Sequence, residues 1–143
     1  MSPIVLLDTN IISHIMRQPD GLAAIRANQL DAKERLCTSV IVQFELRFGL
    51  AKNPSQRLQT SYDVAMVGID VLPLDASVAA DYARIRALLE SKGKPIGAND
   101  LLIAAHALAL DATLGFVICH ECGVQRERVC CDQEVVGANG FAL

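Results

Sequence analysis

The sequence predicts a three-layer α/β domain in which helices flank a central parallel sheet. Short, wholly apolar runs such as residues 4–7 alternate with longer segments of helical spacing, and strands buried on both faces of a parallel sheet are apolar throughout. No repeat, low-complexity run or linker divides the 143 residues. We therefore expect residues 1–143 to form a single domain.

The first strand is predicted over residues 4–7, where four apolar residues precede a polar stretch. Either Thr9 or Asn10 is expected to cap a helix that continues through Met16, because short polar side chains satisfy the first free N–H groups of a helix. A second helix is expected over residues 19–30, since its first residue is a proline and proline suits the first helical turn.

A second strand is predicted over residues 36–38, followed by a helix. Ser39 is placed to cap this helix, and Gly49 is expected to end it, because glycine readily adopts the backbone conformation found after helix termini. Pro54 is expected to start another helix.

The second half of the chain continues the alternation of strands and helices. A third strand is predicted over residues 69–72, and Asp75 is placed to cap a long helix that reaches about Ser91. Residues 98–110 are rich in Ala and Leu and predict a buried helix. Apolar residues between 113 and 118 predict a last core strand.

Composition excludes several classes of protein. With 52% apolar residues the chain is not disordered. The 13 Lys and Arg residues against 16 Asp and Glu give a net charge of −3, so binding to nucleic acid through bulk positive charge is excluded and any RNA contact needs local cations. No apolar stretch reaches the roughly 20 residues of a membrane span. We expect a cytoplasmic protein without membrane association, with cysteines mostly reduced.

Three carboxylates stand out by their positions. Asp8 directly follows the first strand, where parallel sheets place ligand-binding groups, while Glu45 and Asp100 lie in apolar helical surroundings in which a lone charge is costly. Each aspartate alone is explained as a residue of a helix N-terminus. Together, hard oxygen ligands without a neighbouring histidine or thiolate favour Mg²⁺ or Mn²⁺, and without a cation they would repel one another.

The chain resembles a known family in four ordered segments. These are Ile-Val-Leu-Leu-Asp-Thr-Asn at 4–10, Phe-Glu-Leu-Arg-Phe-Gly at 44–49, Pro-Ile-Gly-Ala-Asn-Asp at 95–100 and Ile-Ala-Ala-His-Ala at 103–107. They are similar to the motifs of PIN-domain ribonucleases and, among these, of the VapC toxins of bacterial type II toxin–antitoxin systems. Asp-Thr-Asn alone is a weak signal, but the ordered set is specific, and it extends over about residues 4–114.

The resemblance implies a PIN fold with an acidic pocket at the carboxyl edge of its sheet, in which Asp8, Glu45 and Asp100 are catalytic. Asp8 and Asp100 would hold Mg²⁺ or Mn²⁺, and Glu45 would ligate the metal or a water bound to it. The implied reaction is hydrolysis of structured RNA, of the tRNA or rRNA class, leaving 5′-phosphate and 3′-hydroxyl ends. The implied partners are a cognate VapB-like antitoxin, the RNA substrate and a second copy in a homodimer.

Other polar residues admit simpler interpretations. His14 and His106 each follow a predicted site acid by six residues, a spacing that does not place two side chains on one helix face, so both are interpreted as structural. Thr9 either caps a helix or orients a ligand through its hydroxyl. Four arginines are candidates for contacts to RNA phosphates or are simply solvated: Arg17, Arg47, Arg84 and Arg86.

The resemblance fails from Gly115 onward, so about residues 115–143 form an atypical C-terminal segment. The family usually continues its last strand into a polar tip that supplies a fourth pocket residue, and Glu121 is merely the nearest acid here. This departure leaves an alternative function open, in which the chain binds antitoxin or RNA but is catalytically impaired.

Four of the five cysteines lie in this same C-terminal segment. Cys119 and Cys122 have the spacing of zinc ligands, whereas the adjacent Cys130 and Cys131 suit one tetrahedral site poorly. A zinc-stabilised module and a reading-frame slip near Gly115 are two further hypotheses for this segment.

Overall fold

The computed structural model describes residues 2–29 and 33–114, together with the backbone alone of residues 116–119 and 123–126. The strands are β1 (Ile4–Leu7), β2 (Arg35–Ser39), β3 (Asp70–Leu72), β4 (Thr113–Leu114), β5 (Phe116–Cys119) and β6 (Gly123–Arg126). The helices are α1 (Thr9–Arg17), α2 (Leu22–Asn28), α3 (Val40–Lys52), α4 (Gln56–Ala65), α5 (Ala79–Ser91) and α6 (Ala98–Ala109), with a 3-10 turn over Ala76–Val78.

The four strands β3, β2, β1 and β4 lie side by side in that order and pair in parallel. Parallel neighbours need crossover connections, which the intervening helices provide. The prediction of a central parallel sheet flanked by helices is confirmed.

Two apolar clusters hold the layers together. In the larger one, the fully buried side chains of Val5, Leu6 and Leu7 pack with residues of α1, α2, α3, α4 and α6. The smaller one joins Ile85 of α5 to Leu101 of α6. Burial of an apolar side chain contributes about 1.5–3 kcal/mol, so the larger cluster holds α1, α2, α3, α4 and α6 to the sheet, and the smaller one holds α5 to α6.

Several predicted helix boundaries need correction. Asp8, and neither Thr9 nor Asn10, is the N-cap of α1, since its carboxylate accepts from the Ile11 N–H at 2.9 Å. The second helix begins three residues after Pro19, because the chain first makes a turn closed by the Gly21 N–H on the Gln18 carbonyl at 2.9 Å.

The next two helices also differ from the sequence prediction. Ser39 caps α3 as expected, but α3 continues through Gly49 to Lys52, since a glycine inside a helix costs only about 1 kcal/mol. Helix α4 begins after Ser55 rather than at Pro54, because the Ser55 hydroxyl accepts from its first turn.

The last two predicted elements are confirmed in part. Asp75 caps a 3-10 turn that leads directly into α5, and Gly93 follows α5 with a φ of 65°, a conformation that favours glycine. The last predicted core strand is shorter than expected: only Thr113–Leu114 pairs with β1, whereas Phe116–Cys119 pairs with Gly123–Arg126 in a separate antiparallel ladder. Among the described residues, no helix is long and apolar enough to cross a membrane.

Candidate active site

The carboxyl ends of β1 and β2 place the starts of two helices next to each other. Leu7 lies opposite Thr38 in the parallel register, and the Thr38 hydroxyl donates to the Leu7 carbonyl at 2.8 Å. Asp8 then begins α1, and Ser39 begins α3. Polar residues that follow these strands therefore share one edge of the sheet, where open parallel sheets bind ligands.

Glu45 is half-buried on α3, between the buried Leu46 and the exposed Phe44. Its Oε2 accepts a hydrogen bond from the hydroxyl of Thr9, the residue after Asp8. Its Oε1 accepts from the side-chain amide of Asn99 at 2.9 Å, the residue before Asp100. Both oxygens of this carboxylate are thus bound to neutral donors from two other helices.

The Asp8 carboxylate has an unfavourable electrostatic environment for its ionised form. Burial raises its pKa above the ordinary value, the backbone N–H of Ile11 opposes this shift, and repulsion from Asp100 and Glu45 raises the pKa further. The charged neighbours that affect Asp8 are therefore both carboxylates, which places the three predicted acids in one electrostatic cluster.

Asp100 lies in the first turn of α6 and its side chain is exposed. The expectation of an apolar environment is therefore wrong for Asp100, because residues 98–100 are exposed at the start of α6 and the buried residues of this helix begin at Leu101. Its Oδ2 would lie 3.2 Å from a Cβ placed on Gly97, the N-cap of α6. Because Gly97 has no side chain, the Asp100 carboxylate has room to lie next to it.

The donor set suits a hard divalent cation. Mg²⁺ keeps several waters and binds proteins through one or two carboxylates together with substrate phosphates. Among the described residues, no three His, Cys, Asp or Glu side chains converge on one metal position. Asp8 and Asp100 provide two carboxylates, while both oxygens of Glu45 already accept hydrogen bonds. The residues therefore fit Mg²⁺ or Mn²⁺ held by two aspartates and water, with Glu45 adjacent.

His106 is buried in α6, as the structural interpretation predicted. Nδ1 lies 2.9 Å from the Ser39 hydroxyl, and the ring also bonds to the backbone of Pro73. Burial lowers the pKa of His106, so the neutral ring accepts from Ser39 and donates to the Pro73 carbonyl. This histidine ties α6 to the start of α3.

Two of the candidate RNA-binding arginines pair within α5. Arg84 lies 2.9 Å from Asp81 and Arg86 lies 2.9 Å from Glu90, all as exposed ion pairs along the helix. Arg47 of α3 stacks over the ring of Tyr62, 4.6 Å from its centre. None of these contacts connects an arginine to the acidic cluster.

The predicted residues of the C-terminal segment lie outside the described part of the structure. This applies to Glu121 and to the side chains of the four C-terminal cysteines, so the zinc and reading-frame hypotheses stay predictions. Cys37 is a buried, free thiol. Asn99 also belongs to the site, through its hydrogen bond to Glu45, but it was not predicted from the sequence. Its position next to Asp100 was the only sequence feature that pointed to it.

The fold and the acidic edge of the sheet define a class of protein. The sequence profile of the family described as PIN domain matches residues 5–115. This match begins within β1 and extends over helices α1 to α6 and strands β2 to β4 of the described structure.

Individual relatives narrow the class. Ribonuclease VapC1 of Haemophilus influenzae is 35% identical over 113 residues, which are 78% of this chain and 84% of the relative. The tRNA(fMet)-specific endonuclease VapC of Shigella flexneri is 33% identical over 103 residues, or 71% of this chain and 76% of the relative. The chain therefore belongs to the VapC ribonucleases of the PIN-domain family.

Solved structures agree with this assignment. A chain of VapBC2 from Rickettsia felis, bound to a DNA fragment from its promoter, has a TM-score of 0.73 and 32% identity, with 78% of this chain and 85% of that chain covered. A chain of VapBC-1 from nontypeable Haemophilus influenzae has a TM-score of 0.66 and 36% identity, with 82% and 86% covered.

Proposed function

We propose that this chain is an Mg²⁺-dependent endoribonuclease toxin that cleaves structured RNA and is neutralised by a cognate antitoxin. The observation that supports the proposal is the electrostatic effect of Asp100 and Glu45, which raise the pKa of Asp8, the N-cap of α1 at the carboxyl end of β1. The names of the relatives, ribonuclease and endonuclease, support this activity.

Asp8 and Asp100 are the residues that would hold Mg²⁺, and Glu45 lies beside them. When bound, Mg²⁺ supplies polarisation of a phosphate and activation of water. The protein itself supplies negatively charged carboxylates in defined positions. The Ile11 N–H donates to one oxygen of Asp8 at 2.9 Å and fixes the orientation of this carboxylate. Asn99 and Thr9 hold Glu45. These bonds restrict the carboxylates of Asp8 and Glu45 before substrate arrives, which reduces reorganisation during the reaction.

The RNA is proposed to belong to the tRNA class. The Shigella flexneri relative is a tRNA(fMet)-specific endonuclease, which supports this class, and rRNA is the other class to test. The proposed antitoxin is VapB-like, because the Rickettsia felis and Haemophilus influenzae neighbours are chains of VapBC complexes. Assembly into a homodimer stays a prediction from the family.

Cleavage of purified RNA tests the activity. The chain, freed of antitoxin, is incubated with tRNA and with rRNA in Mg²⁺ or in EDTA, and fragments are mapped by primer extension. We expect Mg²⁺-dependent cleavage of tRNA, and loss of about a thousandfold in rate for Asp8→Asn and Asp100→Asn, since a metal contributes several kcal/mol to such reactions.

Asp63→Asn is the matched control, because Asp63 is an exposed helical aspartate that accepts a hydrogen bond from Gln59 at 2.8 Å and is distant in sequence from the cluster. This variant should cleave as the wild type does. Antitoxin binding without cleavage at any Mg²⁺ concentration would instead support a catalytically impaired member of the family.

A further inference from the structure

The acidic cluster contains a bond that joins two of its helices through a neutral side chain. The Asn99 amide of α6 donates to Glu45 of α3 at 2.9 Å. On the other side, the Thr9 hydroxyl of α1 donates to the second oxygen of Glu45. Because Thr9 follows Asp8 and Asn99 precedes Asp100 in the chain, the Glu45 carboxylate connects the two segments that carry the aspartates.

We propose that Asn99 is a positioning residue of the metal site: it holds Glu45 and thereby fixes where Asp100 lies relative to Asp8. This inference rests on the proposed function, because it assigns Asn99 a role toward the same divalent cation. Asn99 does not touch the cation or the RNA in this role. It acts through Glu45.

The packing of the helices explains why one hydrogen bond suffices to position Asp100. Helix α3 packs against both α1 and α6, and the start of α3 is fixed to α6 by the contact of Ser39 with the buried His106. The first turn of α6 is exposed, and its N-cap Gly97 makes no side-chain cap bond. The hydrogen bond from Asn99 to Glu45 therefore connects the N-terminal end of α6, which lacks a side-chain cap, to α3.

The chemistry of the amide suits this place. A lysine or arginine would also donate to Glu45, but its positive charge would neutralise part of the negative potential that attracts a divalent cation. An aspartate could not donate and would add repulsion to a cluster in which Asp100 and Glu45 already raise the pKa of Asp8. An amide gives two N–H donors and no charge.

Removal of the amide should affect metal binding more than folding. Asn99 is exposed, so Asn99→Ala leaves no core cavity, and alanine is the better helix former. Mutation of a group that orients a metal ligand typically costs tenfold to a hundredfold in metal affinity. We expect Asn99→Ala to weaken Mn²⁺ binding about tenfold and to leave the thermal midpoint of unfolding of the metal-free protein unchanged.

The experiment measures Mn²⁺ binding to the full chain by electron paramagnetic resonance of the free ion, with tRNA cleavage as a separate readout. Asn99→Leu, which keeps the shape of the side chain without its donors, repeats the test if Asn99→Ala folds poorly. Gln59→Ala is the matched control, because it also removes an amide-to-carboxylate hydrogen bond from an exposed helix surface, at 2.8 Å to Asp63. Its Mn²⁺ affinity should equal that of the wild type.

A double-mutant cycle tests whether Asn99 acts through Glu45. In a Glu45→Ala background, Asn99→Ala should cause no further loss of Mn²⁺ affinity, because the partner is already absent. A full additional loss would show that Asn99 acts independently and would overturn the proposal. Equal Mn²⁺ affinity of Asn99→Ala and wild type would also overturn it.

The outcomes separate this inference from the proposed function. A wild-type chain that binds Mn²⁺ but cleaves no RNA refutes the ribonuclease activity, while a weaker Asn99→Ala would still establish the positioning role. A wild-type chain that binds no Mn²⁺ refutes both. Cleavage and Mn²⁺ binding that both persist in Asn99→Ala refute the positioning role alone.

Discussion

Asp8 combines two roles that substitution can separate. Its Oδ1 caps α1 through the Ile11 N–H at 2.9 Å, and its charge belongs to the acidic cluster. Asparagine caps helices about as well as aspartate, whereas alanine does not. Asp8→Asn thus removes only the charge, and Asp8→Ala removes both the charge and the cap.

The magnitudes follow from these contacts. Loss of an N-cap costs about 1 kcal/mol, and for a chain of 143 residues this lowers the thermal midpoint by about 3 °C. At pH 7 without metal, we expect Asp8→Asn to be at least as stable as the wild type, because ionised Asp8 is disfavoured by burial and by its carboxylate neighbours. Asp8→Ala should melt about 3 °C below Asp8→Asn.

The direction of the pH dependence is fixed by the raised pKa of Asp8. The folded protein holds the Asp8 proton more tightly than the unfolded chain, whose value is 3.8. The contribution of Asp8 to stability is therefore fully present below pH 3.8 and falls as pH rises through the folded pKa. The advantage of Asp8→Asn over the wild type should shrink as the solution is acidified toward pH 3.8.

Asp75→Asn is the matched control for this series. Asp75 also accepts from a helix-start N–H, that of Ser77 at 2.8 Å, but hydrogen bonding to Ser77 lowers its pKa. Its contribution is present above pH 3.8 and is lost as pH falls through the folded pKa, so Asp75→Asn should destabilise at pH 7. Thermal melts from pH 3 to 8 measure both variants. Destabilisation by Asp8→Asn at pH 7 would refute the assigned electrostatics.

Two further substitutions test the surroundings of the site. Gly97→Ala places a Cβ 3.2 Å from an oxygen of Asp100, so the carboxylate must shift, and a titration should show weaker Mn²⁺ binding with a nearly unchanged thermal midpoint; full affinity would contradict this. His106→Ala removes a buried ring and its bonds to Ser39 and Pro73, and urea titration should show a loss of about 2–4 kcal/mol. Because burial lowers the pKa of His106 from 6.5, wild-type stability should fall as pH drops from 6.5 through the folded pKa, and the alanine variant should lose that dependence.

The sequence predicted strands more accurately than helix boundaries. Residues 4–7 are apolar throughout because both faces of β1 are covered, and that pattern is visible in one dimension. The start of α2 is not, since Pro19 suits a first helical turn and an ordinary turn equally well. Gly49 likewise continues α3 because tertiary contacts of the flanking residues outweigh its low helix propensity.

The site shows the same division between local and long-range information. The three acids were predicted from their positions and from the family resemblance, and two of them repel the third in the folded chain. Asn99 could not be predicted, because its partner Glu45 is 54 residues away in the sequence. A polar residue in a first helical turn has no distinctive local pattern, and only the packing of α3 against α6 gives it a function.

The arrangement also explains why Glu45 differs chemically from the two aspartates. Each oxygen of Glu45 accepts one hydrogen bond from another helix and has one lone-pair site left, so a large shift of this carboxylate toward a metal would disturb its bonds to α1 and α6. Asp8, in contrast, accepts backbone hydrogen bonds from Ile11 and Asn10, in the first turn of the helix that it caps. Asp8 and Asp100 are therefore better suited to contact a cation directly. Glu45 is better suited to hold α1, α3 and α6 together while adding negative charge to the site.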